Sequence, residues 1–271
     1  MLKPIRQLFI SALTYHARRQ LPLSDSLHKI SKLYVTWFEG RTYDGRHNGE
    51  VWLIERLADQ LRVVFDVGAN RGDWSAVVLK NSPDAEIHAF EIIPNTAKEL
   101  FDAWGDKIRA NAFGLSDTNE ELDVIFSQSH DRGSRMVIDE GYDRNYTTVR
   151  GKVHIGDDYC SQHQIAHIDL LKVDVEGAEQ NVLFGLKGMI RDGNVDVIQF
   201  EYNHARLHSR FLLRDFYDLL GAEYALGRLT NRGVRFKEYE LTDEDFAGPN
   251  YVAVLRSRQD LINRTADPAA S

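Results

Sequence analysis

The sequence predicts an α/β protein whose core is an open, mostly parallel sheet, and three stretches support this fold class. In each stretch a short apolar run that suits a buried strand ends in an acidic residue and is followed by the pattern of a helix. The three acids are Asp66, Glu91 and Asp174. Because ligands of open α/β sheets bind outside the carboxyl ends of the strands, we expect these acids along one ligand-binding edge, here called the rim.

The first stretch, Val63 to Trp74, is the one around which the chain is organised. Its strand runs into a loop with Gly68 and Gly72, and a helix pattern follows. Glycine lets the backbone turn sharply and approach a ligand without a Cβ, and Asn70 is among the few other residues that tolerate positive φ. We therefore predict that this loop cradles a ligand of nucleotide size.

Three ligands suit such a loop to different degrees. A dinucleotide site requires Gly-x-Gly-x-x-Gly, whereas Asn70 stands at its second glycine. A P-loop continues with Gly-Lys-Ser or Gly-Lys-Thr, whereas Asp73 and Trp74 follow Gly72. A strand-end acid beside a glycine loop suits the ammonium and carboxylate of S-adenosylmethionine. Glu91 stands 19 positions past Gly72, near the roughly 20-residue offset of an acid that binds ribose hydroxyls.

Composition narrows the class of protein. The 271 residues are 43% apolar and 27% charged, which is ordinary for a soluble globular protein. The net charge of −8 argues against a nucleic-acid partner. Cys160 is the single cysteine, so we interpret it as structural in a reducing compartment. The apolar runs are too short for a membrane span and no secretory signal is recognisable, so we expect a cytoplasmic protein.

The two ends of the chain differ from its middle. Residues 1–50 are predicted to form a helical extension, 51–258 the main domain, and 259–271 a polar, disordered tail. Within 1–21, a basic amphipathic helix would either lie peripherally on the inner membrane or pack on the main domain or on a second copy of the chain. We favour packing on the main domain or on a second copy over binding to the membrane. A second helix is predicted over Leu27 to Trp37.

The remaining elements follow from periodicity and from the positions of glycine and proline. They are helices at 50–60, 73–81, 94–104 and 211–220, and strands at 87–90, 108–113, 122–126, 195–200, 224–229 and 251–255. The last two strands are expected to form an antiparallel pair at the sheet edge. The third strand should end beside the adenine, with Phe113, Gly114 and Leu115 lining its pocket. Ser127 to Thr148 is long and polar, which predicts a lid or a mobile segment.

The second informative stretch runs from Ile168 to Glu179 and again joins a strand, an acid, a glycine and a helix. With the end of the next strand, it should bring several carboxylates to the rim. These carboxylates are Asp174, Glu176, Glu179 and Glu201.

Three roles are open for these carboxylates. They can pair with Lys172 or an arginine, act as a general base, or hold Mg²⁺ through oxygen ligands. For a metal, the donors that the topology places best are Asp174, Glu201 and Asn203. His204 follows directly and is a further candidate base.

Five motifs, in this order, resemble the motif set of the FkbM family of S-adenosylmethionine-dependent methyltransferases. They are Asp-Val-Gly-Ala-Asn-Arg-Gly-Asp from Asp66, Ala-Phe-Glu from Ala89, Asn-Ala-Phe-Gly-Leu-Ser-Asp from Asn111, Leu-Lys-Val-Asp-Val-Glu-Gly-Ala-Glu from Leu171 and Phe-Glu-Tyr-Asn from Phe200. The resemblance covers roughly residues 60–256, and the fourth motif is specific. Ile92-Ile93-Pro94 departs from the more usual Pro-x-Pro after the acid, which we expect to alter loop packing.

The resemblance implies a Rossmann-like class I methyltransferase with a seven-stranded, mostly parallel sheet and an antiparallel edge. It also implies methyl transfer to a sugar hydroxyl, which we expect in a bacterial surface polysaccharide or glycolipid. The alternatives are N- or O-methylation of a small natural product and a non-catalytic binding module. A homo-oligomer is compatible with each of these functions. The residues assigned to the cofactor are Asp66, Gly68, Asn70, Gly72, Glu91, Ile92, Gly114 and Leu115, and those assigned to catalysis are Asp174, Glu201 and His204.

Overall fold

Helices alternate with strands along most of the chain, as the periodicity predicts. The structure, a computed structural model, describes residues 2–127, 135–136, 146–248 and 250–269. The helices are α1 Leu2–Arg18, α2 Ser24–Phe38, α3 Glu50–Leu57, α4 Asp73–Asn81, α5 Pro94–Trp104, α6 Gly156–Gln162, α7 Glu179–Gly185, α8 Lys187–Arg191, α9 Arg206–Ser209, α10 Leu213–Leu220 and α11 Gln259–Thr265. The strands are β1 Val63–Val67, β2 Glu86–Phe90, β3 Arg109–Asn111, β4 Gly114–Ser116, β5 Glu120–Ser127, β6 Arg135–Met136, β7 Tyr146–Ile155, β8 Ile168–Val173, β9 Val195–Glu201, β10 Tyr224–Thr230, β11 Gly233–Phe236 and β12 Asn250–Leu255.

The main sheet has eight strands in the order β11, β10, β12, β9, β8, β1, β2, β3. Strands β9, β8, β1, β2 and β3 are mutually parallel. Strand β12 is antiparallel to both β9 and β10, and β11 is antiparallel to β10. The predicted antiparallel pair, β10 with β12, forms, but it is not the edge. The seven-strand prediction was one strand short because Gly233–Phe236 folds back on β10, and four residues give too weak a pattern to recognise.

A second, four-stranded sheet has the order β4, β7, β5, β6. The single strand predicted over Ile108 to Phe113 is divided between the two sheets. Only Arg109–Asn111 pairs with β2, and the chain then crosses to pair Gly114–Ser116 with β7. The strand predicted at 122–126 forms within β5. Most of the predicted lid, Ser127 to Thr148, lies outside the described residues.

The main sheet is buried on both faces, as expected for parallel strands joined by helices. Alternate residues of β1 point to opposite faces, so Phe65 and Val64 enter different cores. On one face the core includes Phe90 and Phe200 beneath α6, α7 and α10. The opposite face packs against α3, α4 and α11. Each large side chain buried in this way contributes about 1.5–3 kcal/mol, and together they fix the strand register on which the site depends.

The two chain ends differ from what the sequence predicted. Residues predicted as a disordered tail form α11, which buries Leu261, and the carboxylate of Asp267 then lies 3.0 Å from Arg235 Nε. Its few apolar residues have helical spacing, which the polar composition of the segment conceals. At the other end both predicted helices form. The helix predicted to pack on the main domain or on a second copy is α1, and its side chains from Arg6 to Arg18 are exposed except for the half-buried His16, so the main domain does not cover them. Helix α2 also buries none of its residues.

Candidate active site

Strand register brings the predicted acids to one level at the rim. Val67 pairs with both Phe90 and Val173, and Val173 pairs with Phe200. The next residue along each of these four strands therefore stands at the same height. These residues are Gly68, Glu91, Asp174 and Glu201.

The glycine loop passes too close to its neighbours for any side chain. Gly68 has φ +84°, and a Cβ there would lie 1.9 Å from the backbone oxygen of Asp174. Gly72 also has φ +84°, and its Cβ would lie 2.5 Å from Trp104 Nε1. Asn70, between them, has φ +49°, as its residue type allows. The two glycines are therefore required by the packing of the loop against the turn after β8 and against α5.

Glu91 stabilises the glycine loop through hydrogen bonds to the backbone. Its carboxylate accepts hydrogen bonds from the backbone N–H groups of Asn70, at 2.9 Å, and of Ile93, at 2.8 Å. The residue is 6% exposed, and burial raises the pKa of its carboxyl group. The acid predicted to bind ribose thus also fixes the two loops that would surround the ribose.

Asp66 lies beneath the loop and is fully buried. It accepts a hydrogen bond of 2.7 Å from Ser75 Oγ on α4, and Lys172 Nζ lies 3.5 Å from its other oxygen. The predicted role of Asp66 was direct contact with the methionyl end of the cofactor. Its carboxylate contacts α4 and β8 and so helps to hold the loop, and its contact with the methionyl end stays a prediction.

Lys172 is the positive centre of the site. Its side chain is 6% exposed, and Nζ lies 3.2 Å from Asp174 Oδ2 and 5.8 Å from the ring centre of Trp74. Burial lowers the pKa of Lys172, but the negative charges of Asp174, Asp66 and Glu50 outweigh that effect and raise it. Lys172 therefore remains charged and joins the end of β1, through Asp66, to the turn after β8, through Asp174.

Glu50, the first residue of α3, belongs to this network and was not predicted. It accepts hydrogen bonds from Gln199 Nε2, at 2.7 Å, and from Asn48 Nδ2, at 3.1 Å. Burial raises its pKa, and the charge of Lys172 opposes that rise. Glu50 and Lys172 are far apart in sequence, and the residues around each of them give no indication that the two side chains meet.

Three of the predicted acids form a compact group, here called the carboxylate cluster. It consists of Asp174, Glu176 and Glu201, which can each offer one oxygen such that all three lie within 4.8 Å of one another. The side chain of Asp174 is 36% exposed, whereas Glu201 is 6% exposed. Burial raises the pKa of Glu201 well above its usual value, and the charges of Asp174 and Glu176 raise it further.

The residues after Glu201 are placed differently from the prediction. Asn203 is buried, and its amide donates a hydrogen bond to Glu201 while its oxygen accepts one of 2.7 Å from the N–H of Ala205. Its oxygen thus accepts a hydrogen bond within its own turn, and the metal-ligand role predicted for Asn203 stays a prediction. His204 is exposed and is not a member of the carboxylate cluster.

Glu179 has a structural role. It accepts hydrogen bonds from the N–H groups of Val175, at 3.0 Å, and Gly177, at 3.3 Å, and it forms a buried ion pair with Arg206. Burial lowers the pKa of Arg206 to about 10. The pair fastens the turn that carries Asp174 and Glu176 to α9. Arg206 was not predicted, because a lone arginine after a strand has no distinguishing pattern.

The residues predicted beside the adenine lie where the two sheets meet. Leu115 is buried in the core, and a Cβ on Gly114 would lie 3.5 Å from Ile92 Cβ. Ile92 also packs against Gly151 of β7, where a Cβ would be 2.5 Å from its side chain. Ile92 and Phe113 are both half-buried, so each keeps some surface for a ligand, whereas Gly114 and Leu115 are buried.

Comparison with known proteins agrees with this geometry. Residues 66–226 match the model of the methyltransferase FkbM domain. The 2-O-methyltransferase NoeI of Sinorhizobium fredii is 30% identical over 175 residues, which cover 58% of this chain and 70% of NoeI. The hexuronic acid methyltransferase AglP of Haloferax volcanii is 27% identical over 151 residues, which cover 54% of this chain and 59% of AglP.

A solved structure of a family member is also similar. The methyltransferase FkbM from Methylobacillus flagellatus KT has a TM-score of 0.46 and 13% sequence identity, over 72% of this chain and 43% of that chain. The family match itself extends over more than half of this chain and contains both the glycine loop and the carboxylate cluster. The protein therefore belongs to the FkbM family of S-adenosylmethionine-dependent methyltransferases.

Proposed function

We propose that this protein transfers the methyl group of S-adenosylmethionine to a hydroxyl group of a sugar, in a bacterial surface polysaccharide or a glycolipid. The observation that carries the proposal is the carboxylate cluster, which stands at the same rim as the glycine loop. The sugar is supported by the names of two relatives, one a 2-O-methyltransferase and the other a hexuronic acid methyltransferase.

On the donor side, the residues fit S-adenosylmethionine. The glycine loop stands at the end of β1, where the methionyl end would lie, and Glu91 retains carboxylate lone pairs for ribose hydroxyls. Ile92 offers an apolar surface to the base. The bound sulfonium supplies an activated methyl group and a neutral leaving group. The protein must therefore align an acceptor oxygen about 3 Å from that methyl group and remove a proton from a weakly acidic hydroxyl.

On the acceptor side, the cluster supplies the base. Asp174 is open enough to accept a hydrogen bond from the acceptor hydroxyl. Glu201 lies behind it, and its raised pKa makes its carboxylate a stronger base than an ordinary glutamate. Asp174 takes the proton from the hydroxyl and passes it to Glu201, the acceptor oxygen takes the methyl group, and the sulfur keeps the electron pair of the broken bond.

A divalent cation is the alternative means of activating the hydroxyl. Three carboxylate oxygens suit Mg²⁺. However, the ammonium of Lys172 already lies 3.2 Å from Asp174 Oδ2, and a second cation there would be repelled. We therefore assign proton removal to the carboxylates and expect methyl transfer to persist after treatment with a chelator. Complete loss of activity that added Mg²⁺ restores would contradict this assignment.

The test is transfer of labelled methyl groups to fractionated surface polysaccharides, glycolipids and small metabolites. We expect label in a carbohydrate fraction, in an alkali-stable ether linkage. Asp174→Asn and Glu201→Gln should each reduce the rate by about 100-fold or more while leaving cofactor affinity within a few-fold. Asp84→Asn, a change at an exposed acid, is the matched control.

Two results would overturn the proposal. Label found only in a small non-carbohydrate metabolite would favour the natural-product alternative. A purified protein whose melting temperature is unchanged by saturating S-adenosylmethionine and S-adenosylhomocysteine would favour a non-catalytic binding module.

A further inference from the structure

The N-terminal hairpin, defined as α1, α2 and the turn between them, exposes apolar side chains on both helices. On α2, Leu27, Ile30, Tyr34 and Trp37 recur at helical spacing and form one stripe. Each is more than two-fifths exposed, and Phe9 of α1 is 65% exposed. The large exposed apolar side chains of the two helices are Leu8, Phe9, Ile10, Leu13, Tyr15, Leu27, Ile30, Leu33, Tyr34, Val35, Trp37 and Phe38. A set of this size marks a surface that binds something.

The charge of the hairpin is opposite to that of the rest of the protein. Residues 1–38 contain six Lys and Arg residues and one acid, Asp25, so their net charge is +5. The whole chain carries −8, which leaves −13 on the other residues. On α2, Lys29 and Lys32 lie on the side of the helix away from the apolar stripe. Helix α2 is thus apolar on one face and basic on the other, whereas α1 carries exposed apolar side chains together with basic residues.

The hairpin has a defined shape and a limited attachment to the main domain. Ser24 Oγ lies 3.1 Å from His16 Nδ1, which joins the start of α2 to the end of α1. At the far end of α2, the ring of Trp37 packs on His47 at 5.1 Å, and the Arg235 guanidinium lies 5.9 Å from the ring centre of Phe38. The rest of the apolar stripe, Leu27, Ile30 and Tyr34, remains open to an external partner.

An anionic lipid surface fits these features better than the hairpin of a second copy does. A second hairpin would bring +5 against +5, whereas an anionic headgroup layer neutralises the basic residues. Aromatic residues such as Phe9, Tyr34 and Trp37 are the types that settle at the boundary between headgroups and acyl chains. Of the helices that the structure describes, none is long and apolar enough to cross a bilayer. The helices would therefore lie in the plane of the surface.

We propose that the N-terminal hairpin docks the enzyme on anionic membranes, with the apolar faces of α1 and α2 inserted at the headgroup boundary and their basic residues on acidic headgroups. The proposal stands apart from the choice of methyl acceptor, because it rests on residues outside the matched family domain.

The experiment is co-sedimentation of the full chain with phosphatidylcholine vesicles prepared with and without phosphatidylglycerol. We expect binding only with phosphatidylglycerol, and weaker binding as salt is raised. Lys29→Gln with Lys32→Gln should weaken it by about 25-fold, which is about five-fold for each basic residue. Phe9→Ser with Ile30→Ser should abolish it. These side chains are exposed, so the variants should keep the parent's circular dichroism and its affinity for S-adenosylhomocysteine.

Matched changes on the main domain provide the controls. Leu241→Ser removes an apolar side chain that is 81% exposed, and Lys107→Gln with Lys187→Gln removes two exposed charges. Both should bind vesicles as the parent does. Three results would overturn the proposal: equal binding to the two kinds of vesicle, binding that survives Phe9→Ser with Ile30→Ser, or a parent that is a dimer without vesicle affinity and becomes a monomer in that variant.

Discussion

Lys172 Nζ lies 3.2 Å from Asp174 Oδ2, and this contact joins the two halves of the site. Lys172 also lies 3.5 Å from Asp66, directly beneath the glycine loop, whereas Asp174 begins the turn that carries the carboxylate cluster. One buried ammonium thus balances charge both beneath the glycine loop and beside the carboxylate cluster.

Lys172→Met should therefore be strongly destabilising. It leaves the fully buried carboxylate of Asp66 without its cation, and removal of one partner of a buried pair costs about 3–5 kcal/mol. The lost contact with Asp174 adds less to the loss of unfolding free energy, because the side chain of Asp174 is partly exposed and solvent screens the interaction. Urea unfolding measures the change. Lys98→Met, at an exposed ion pair, should cost less than about 0.5 kcal/mol, and equal losses in the two variants would contradict this account.

Gly68→Ala should lower stability much more than Gly105→Ala. Both glycines have positive φ, so each alanine carries about 1–2 kcal/mol of backbone strain. At Gly105 no atom lies within 4 Å of the new Cβ, whereas at Gly68 the Cβ would overlap the backbone oxygen of Asp174. We expect at least twice the loss of unfolding free energy at Gly68, or no soluble protein. Similar losses would show that the loop can move away from Asp174.

Glu91→Ala should weaken binding of S-adenosylhomocysteine by at least about ten-fold in calorimetric titration. The change removes the acceptor for the N–H groups of Asn70 and Ile93, each of which then costs about 1–3 kcal/mol if it stays unpaired. Glu91→Gln keeps one acceptor oxygen and should fall between alanine and the parent. If glutamine binds as weakly as alanine, the charge of Glu91 matters more than its hydrogen bonds to the loops.

The raised pKa of Glu201 predicts the pH dependence of stability. In the folded protein Glu201 holds its proton to a higher pH than in the unfolded chain, so it lowers the free energy of unfolding as pH rises from about 4.3 through its folded-state pKa. Glu201→Gln mimics the neutral acid and should match the parent near pH 4 but exceed it in stability at pH 8. Urea unfolding at both pH values tests this. Glu55→Gln, at an exposed acid, should show no such difference. A constant offset for Glu201→Gln would indicate that its carboxyl group does not change charge over that range.

Much of the rim could be predicted from the sequence because its residues stand at the ends of apolar runs. Gly68, Glu91, Asp174 and Glu201 are each adjacent to a recognisable strand, and parallel pairing then brings them together. The short strands β3, β4 and β11 could not be predicted correctly, since their pairing depends on partners distant in the chain. Helix α11 was missed because a polar composition masked a few well-spaced apolar side chains.

The sequence by itself determined which residues reach the rim, since strand periodicity and glycine positions are local properties that each segment carries with it. The tertiary structure decided what each residue does there. It turned Asp66 toward Ser75 and Lys172, placed Glu176 beside Asp174 and Glu201, and brought in Glu50 and Arg206 from segments without a motif. Charge pairing and burial depend on distances between residues far apart along the chain, and only the folded sheet sets those distances.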